Sequence, residues 1–415
     1  MRETVDILIS GGGIAGLAAA AAFGTAGWSV LCVDPAPPVT EARASGADLR
    51  TTAFLQPSIP VLEAAGLWAR LAPHAMPLQV MRIVDAGGPD PTPRVVHDFN
   101  ARDVSDRPFG WNLPNWLLKR EFLAHLDDLP NVRFRPGVGT ERVHTRESEA
   151  RVSLSDGARV SARLLIAADG RNSPVRQALG VGVKTLRYGQ KALAFAVTHP
   201  DPHGNVSTEV HRAGGPFTLV PLPDHQGQPC SAVVWMNTGA EIARLQALPV
   251  DAFEAAMNER SAGLFGQLRL ASALTVWPII SQIADRFSGE RTALIAEAAH
   301  VVPPIGAQGL NMSIADLGAL LDLARDETLG TSAMLDAYHH RRWPEVKLRL
   351  HGVDLLNRAS MIQAQPLRDL RAAALDMVYR LAPVRRVLMQ MGSGMRQSTA
   401  PEGETPPRVS PLPPT

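Results

Sequence analysis

Gly11-Gly12-Gly13-Ile14-Ala15-Gly16 follows directly on the short β-branched run Val5-Asp6-Ile7-Leu8-Ile9. Glycines at this spacing serve a dinucleotide. The first permits a tight turn, the second lets backbone approach a pyrophosphate, and the third lets a helix pack on its strand. The phosphates then meet free N–H groups at the helix N-terminus. Asp34 stands 18 residues after Gly16, where an acidic side chain accepts hydrogen bonds from an adenosine ribose. Gly11, Gly13, Ile14, Ala15, Gly16 and Asp34 are therefore candidate cofactor-binding residues.

Such a site needs a strand, a turn, a helix and a second strand in that order. The sequence predicts them as Val5–Ile9, the glycines, a helix over 17–23 stopped by Gly27, and a strand over 29–33 ending on Asp34. Residues 7–33 contain no charge, a stretch longer than the ~20 residues that cross a bilayer. Its six glycines, three of them consecutive, and the acidic Glu3 and Asp6 ahead of it argue instead for buried βαβ structure, with no span and no export signal.

Two later segments join the first. One is Leu165-Ile166-Ala167-Ala168-Asp169-Gly170-Arg171-Asn172-Ser173-Pro174-Val175-Arg176. The other runs from Leu294 through Glu297, His300, Pro304, Gly306, Gln308, Gly309 and Leu310 to Asn311. With the glycine turn, they resemble the three fingerprints of the single-component FAD-dependent aromatic hydroxylases built on the hydroxybenzoate-hydroxylase fold. The resemblance implies that Asp169 and Gly170 face the flavin pyrophosphate. It puts Glu297 on the ribitol, where the family has Gly-Asp and this chain Ala296-Glu297. It sets Pro304, Gly306, Gln308, Gly309, Leu310 and Asn311 in a turn opening a helix, whose N–H groups steady charge on the reduced flavin. Gly306 and Ala307 stand in exchanged order, and Ser313 replaces a usual Gly. Asp48-Leu49-Arg50 resembles the segment that brings an Arg near the flavin, and Arg120 is carried over as a further cofactor contact. His300 is expected to close the turn before Pro303.

The succession Tyr338-His339-His340-Arg341-Arg342, Asp354-Leu355-Leu356-Asn357-Arg358 and Arg380 to Arg386 is similar to the ubiquinone-biosynthesis hydroxylases. That resemblance implies hydroxylation of a polyprenylated phenolic ring by FAD and O2. NAD(P)H would act as a transient donor, and reduced flavin would form a flavin hydroperoxide. No side chain is assigned a catalytic role, because the flavin carries the chemistry. A prenyl-chain reductase of the same fold and a flavin-poor scaffold subunit of a quinone-biosynthesis complex are the alternatives.

The implied fold is α/β: a Rossmann-type FAD-binding domain (1–75, 101–184, 281–360) interleaved with an antiparallel-sheet substrate domain (76–100, 185–280). C-terminal helices (361–396) and a disordered, proline-rich tail (397–415) follow. Four strand-forming runs, 192–198, 206–211, 217–222 and 230–237, suggest an antiparallel meander. Trp235 and Phe217 on it either line the substrate pocket or fill the core. Helices are expected over 311–324 and 334–360.

Forty-one Lys and Arg against 40 Asp and Glu lack the basic excess of a nucleic-acid binder. Two cysteines, Cys32 and Cys230, make neither a disulfide framework nor a zinc site, and the histidine pairs lack metal-ligand spacing. Arg368, Arg371, Arg380, Arg385, Arg386 and Arg396 share residues 366–396 with Leu367, Leu370, Met377, Leu381, Val384 and Leu388. These read either as a basic amphipathic helix on an anionic membrane surface or as a helix packed on the core. The expected location is cytoplasmic, peripheral at the inner face of the membrane, with other quinone-biosynthesis proteins as potential partners.

Overall fold

The computed structural model describes residues 2–393 apart from 45, 49, 89 and 91. Leu49, Arg396 and the 397–415 segment lie outside the described residues. Strand Arg2–Ser10 carries Ile7, Leu8 and Ile9, all fully buried. An unbroken apolar run of that kind belongs to a strand covered on both faces. Val30–Asp34 and Arg159–Ala167 flank it in parallel, Val132–Pro136 lies beyond the first, and Thr292–Leu294 beyond the second. Ser10 is level with Ala167, and Ala167 with Leu294. The C-terminal ends of three strands remote in sequence thus meet at one sheet edge, where α/β sheets bind ligands. Helices Ile14–Thr25 and Gln308–Leu323 pack together in the adjoining core.

A second sheet holds nine strands. Residues 206–211, 216–225 and 228–238 form the expected meander, but Val183–Thr198 pairs with Gln228–Thr238, not with its sequence neighbour. Val206–His211 instead takes Val80–Asp85 as a parallel partner, so the sheet is not wholly antiparallel. Alternation along a strand encodes which face is buried; it does not encode which strand lies alongside. Thr275–Ala284 covers the other edge of Val183–Thr198.

The last elements also differ from expectation. Strand Thr292–Leu294 stops short of Ala296, and Ala296–Ala299 forms a helical turn. The helix expected from Asn311 begins at Gln308. The basic C-terminal segment is two helices, Gln365–Arg380 and Ala382–Ser393, broken at Leu381. Pro383 has no N–H for the Tyr379 carbonyl, and Arg385 Nη1 donates to that oxygen at 3.1 Å instead. Arg385 also lies 4.9 Å over the Tyr379 ring, so its guanidinium faces protein. Arg371 reaches buried Asp85 at 2.8 Å, joined there by Arg94 at 2.6 Å. These pairs fasten the first of the two helices to the second sheet.

Candidate cofactor and active site

Gly11 takes φ +109, and a side chain there would collide with the Ala168 carbonyl. A Cβ on Gly16 would strike the Gly11 oxygen. The turn and the helix therefore close together only with glycine at both positions. Gly13 differs: a Cβ built there meets nothing within 4 Å. It caps the Ile14–Thr25 helix without any side-chain hydrogen bond, so the first-turn N–H groups face open space beside it. Ile14 and Ala15 stand half-buried in that first turn. Asp34 accepts from Gly12 N at 2.6 Å and Ala36 N at 2.8 Å, which fixes the carboxylate beside the turn.

The other two segments arrive through the backbone. Ala168 N donates to Ser10 O at 2.8 Å, and Ile295 N to Ala167 O at 3.0 Å. Arg176, buried, ties them together by donating to Ala298 O and Arg171 O, both at 2.8 Å. Asp169 accepts from Val175 N at 3.1 Å, while its Oδ1 is buried without a partner. Burial holds its carboxyl above the usual carboxylate range against the pull of the Ser173 and Val175 hydrogen bonds. A buried acceptor with no donor is what a bound hydroxyl or amide would complete. Gly170 follows at φ +83 with open space beside it.

In the third segment Ala296 adopts φ +53 and Ala307 φ +55. Side-chain-bearing residues held in the left-handed region cost of order 1–3 kcal/mol and cluster at functional sites. Glu297 is exposed between buried neighbours. Arg50 forks onto Asp48 at 2.8 Å through both Nε and Nη2 and lies 5.5 Å over the Trp277 ring. Asp48 is the main cause that holds the Arg50 pKa up, and the charge of Glu297 adds to it. Arg50 thus stands between the third segment and the second sheet. Pro304, Gly306, Gly309 and Leu310 lie at the surface or half-buried around the start of the Gln308–Leu323 helix, which also lacks a side-chain cap.

Three expected contacts have other work. The Asn311 amide bonds Leu55 N, Ser58 Oγ, Ala53 O and Ala307 O, so it clamps the helix to the strand that follows Arg50. Gln308 is bonded to Gly306 O, Gly392 O and Arg349. Only their backbone groups are left for a cofactor. Arg120 is exposed, paired with Glu121 and stacked on Trp116. His300 is not a turn closer alone: its Nε2 lies 2.6 Å from Asp316 Oδ2, and Asp316 Oδ1 accepts from Arg342 at 2.8 Å.

Opposite the third segment, Ala192, Met236 and Ile279 of the second sheet pack with Ile305 and Val353, bordered by Trp277 and Tyr188. Tyr188 Oη donates to Asp354 at 2.8 Å, and Asn357 Nδ2 to Gln190 at 3.0 Å. Burial, with Asp354 adding, pushes the Tyr188 phenol up to about 12. The sequence marked Asp354 and Asn357 but gave no sign of Tyr188 or Gln190, whose roles depend on partners more than 160 residues away. Trp235 and Phe217 face the other side of the sheet, ring centroids 5.4 Å apart, in the core against helices Gly239–Gln246 and Val250–Arg260.

Two uncapped helix starts, an open glycine and an orphaned carboxylate oxygen at one sheet edge define a dinucleotide-cofactor protein. The chain belongs to the FAD binding domain family, which matches residues 4–351. It is 31% identical to the ubiquinone hydroxylase UbiL of Rhodospirillum rubrum, over 98% of this chain and 92% of that protein. It is 26% identical to the 3-demethoxyubiquinol 3-hydroxylase of Escherichia coli, over 95% and 100%. Among solved structures, p-nitrophenol 4-monooxygenase PnpA from Pseudomonas putida superposes with a TM-score of 0.76 at 20% identity, covering 96% of this chain and all of that one. At that identity the likeness is one of fold. Among the described residues no cluster suited to a metal ion is present, and no helix is long and apolar enough to cross a membrane.

Proposed function

We propose that the protein is an FAD-dependent monooxygenase that hydroxylates a polyprenylated phenolic ring in ubiquinone biosynthesis. The observation that carries this is the 31% identity to a ubiquinone hydroxylase across nearly the whole chain. The site agrees with it. The glycine turn, Asp34, Asp169 and the Gln308 helix start would hold FAD, and bound there it would supply activation of O2 and transfer of one oxygen atom. The apolar cluster of Met236, Ile279 and Ile305 would keep water from an aromatic ring seated against it. Tyr188, fixed by Ser281 and Asp354 at 2.8 Å each, offers a polar edge for orienting a phenol. NAD(P)H is the proposed donor; with a single glycine fingerprint in the chain, it would meet the flavin transiently. The experiment is to supply 18O2 and a prenylphenol to the FAD-loaded protein. One labelled oxygen in the product is expected, and a saturated prenyl chain without label would support a reductase instead.

Glu297 is the proposed ribitol partner. Removing a charged hydrogen-bond partner costs about 1.5–3 kcal/mol, roughly a tenfold to hundredfold loss of affinity. Glu297→Ala should shed FAD on dilution, whereas Glu297→Asp should keep most of it. Fluorescence of released flavin reads both, and equal retention by the alanine variant and the parent would remove Glu297 from the ribitol.

The substrate reading favours a membrane-facing surface. Leu348, Leu355 and Leu356 share one face of the Ser332–Ser360 helix at 58–71% exposure, and Leu367, Leu370 and Met377 share one on the next helix at 51–64%. Exposed Lys347, Arg358 and Arg380 flank them, which suits an anionic bilayer. Arg385, turned inward on Tyr379 and Asp103, is not part of that face. Leu355→Asp with Leu356→Asp should cut co-sedimentation with anionic liposomes severalfold at unchanged melting temperature. Undiminished sedimentation would leave these leucines to another partner.

A further inference from the structure

Behind the second sheet, away from the cofactor segments, lies a cavity of about 260 Å³ lined by Arg212, Trp235, Arg244, Arg260 and Arg368 among others. Two of its four arginines are neutralised within it, Arg212 by Glu259 at 3.0 Å and Arg244 by Glu241 at 2.6 Å. Arg260 and Arg368 have no carboxylate partner among the described residues. Arg260 is 6% exposed. Its Nη2 donates to the Gly215 carbonyl and its guanidinium lies 6.0 Å over the Phe217 ring, but Nε and Nη1 are buried and unpartnered. Trp235, 3% exposed, leaves its indole N–H unpartnered, and so does Arg368 at Nε. Buried donors are ordinarily satisfied, and four carried by three residues that line one cavity call for one acceptor with several oxygens. Burial, with the like charges of Arg212 and Arg371, lowers the Arg260 pKa to about 9, so a nearby anion would stabilise its charged form.

We propose that this cavity is a second binding site, distinct from the cofactor site, and that it takes a phosphate monoester. The donors come from three elements: Trp235 from a strand, Arg260 from the Val250–Arg260 helix and Arg368 from the Gln365–Arg380 helix. A tetrahedral phosphate presents oxygens in that many directions, whereas a planar carboxylate presents two in one plane. The volume leaves room for an organic substituent on the phosphate. Arg368 lies between exposed Leu367 and Leu370, so the phosphate's source is either a soluble metabolite or a lipid headgroup. Trp235 faces this cavity while its strand neighbour Met236 faces the cofactor side, so the sheet separates the two sites. The proposal does not rest on the hydroxylase reading.

The test uses the full-length, FAD-loaded protein, so that the pyrophosphate cradle is already filled. Calorimetric titration with inorganic phosphate and with glycerol 3-phosphate, at ionic strength held constant with chloride, should give saturable one-to-one binding. Trp235→Phe keeps the ring packing and removes the N–H; Arg368→Gln alters a half-exposed side chain. Each should weaken binding at least tenfold with FAD content and melting temperature unchanged. Binding of phosphatidic acid vesicles, lost in Arg368→Gln and without response to glycerol 3-phosphate, assigns the phosphate to a lipid headgroup; the reverse assigns it to a metabolite. No saturable binding of either, or binding indifferent to both variants, overturns the site.

Discussion

Asp316→Asn should destabilise the protein by about 3 kcal/mol, the low end of the 3–5 kcal/mol expected when a buried ion pair loses one member. Asp316 is fully buried, with His300 at 2.6 Å and Arg342 at 2.8 Å. An amide of the same shape leaves the Arg342 charge short of its buried counter-ion, although Glu345 still pairs with it at 2.5 Å and keeps the loss from reaching the upper end. The wild-type pair also sets an acid limit. Burial opposes ionisation of Asp316, but attraction and hydrogen bonds from His300 and Arg342 outweigh it and hold the carboxyl below its ordinary 3.8. A depressed carboxylate pKa contributes stability that is complete above the unfolded value and disappears as pH falls through the folded one. Urea unfolding at neutral pH and at pH 3 reads both effects. The asparagine variant should lose less stability than the parent on acidification, and a neutral-pH difference under 1 kcal/mol would mean that the surroundings replace the pair.

Gly13→Val should give a folded protein that carries less than a tenth of the parent's FAD. Its backbone, φ −70 and ψ 177, is extended and open to any residue, and a Cβ there meets no protein atom within 4 Å. The new methyls would occupy the space before the helix N–H groups, which is the volume a pyrophosphate needs. Gly16→Val is the contrast: its Cβ would drive into the Gly11 carbonyl, so the fold itself should fail. Flavin absorbance after gel filtration, together with the melting curve of the apoprotein, separates the two outcomes. Full flavin content in Gly13→Val would show that the glycine turn does not hold the cofactor.

The glycine turn was legible because its requirements are local: one strand, one turn and one helix within 35 residues fix each glycine's environment. The Asp-Gly segment and the third segment could be located from their residues. What their side chains do could not, because Asn311 and Gln308 spend their amides on partners as far away as residues 53 and 392. The strand order of the second sheet was hidden for the reason that hid its parallel pair: burial pattern records a face, and neighbours are set by packing across the whole molecule. Arg120 illustrates the same limit in reverse. A position can be recognised from its surroundings in sequence while its side chain turns to an adjacent glutamate.

The cofactor edge is assembled from strands at residues 2–10, 159–167 and 292–294, and closed by a helix that starts at 308. On a ribosome adding roughly 5–20 residues per second, the first glycine turn therefore waits on the order of 15–60 s for its last neighbour. For about the first half of that interval Ile7, Leu8 and Ile9 lack the Arg159–Ala167 strand that will flank them, and the nascent chain holds an apolar ribbon without its mate. FAD capture should consequently wait until the third segment has been made. Fragments that stop short of the third segment should need chaperone protection, however complete their glycine turn.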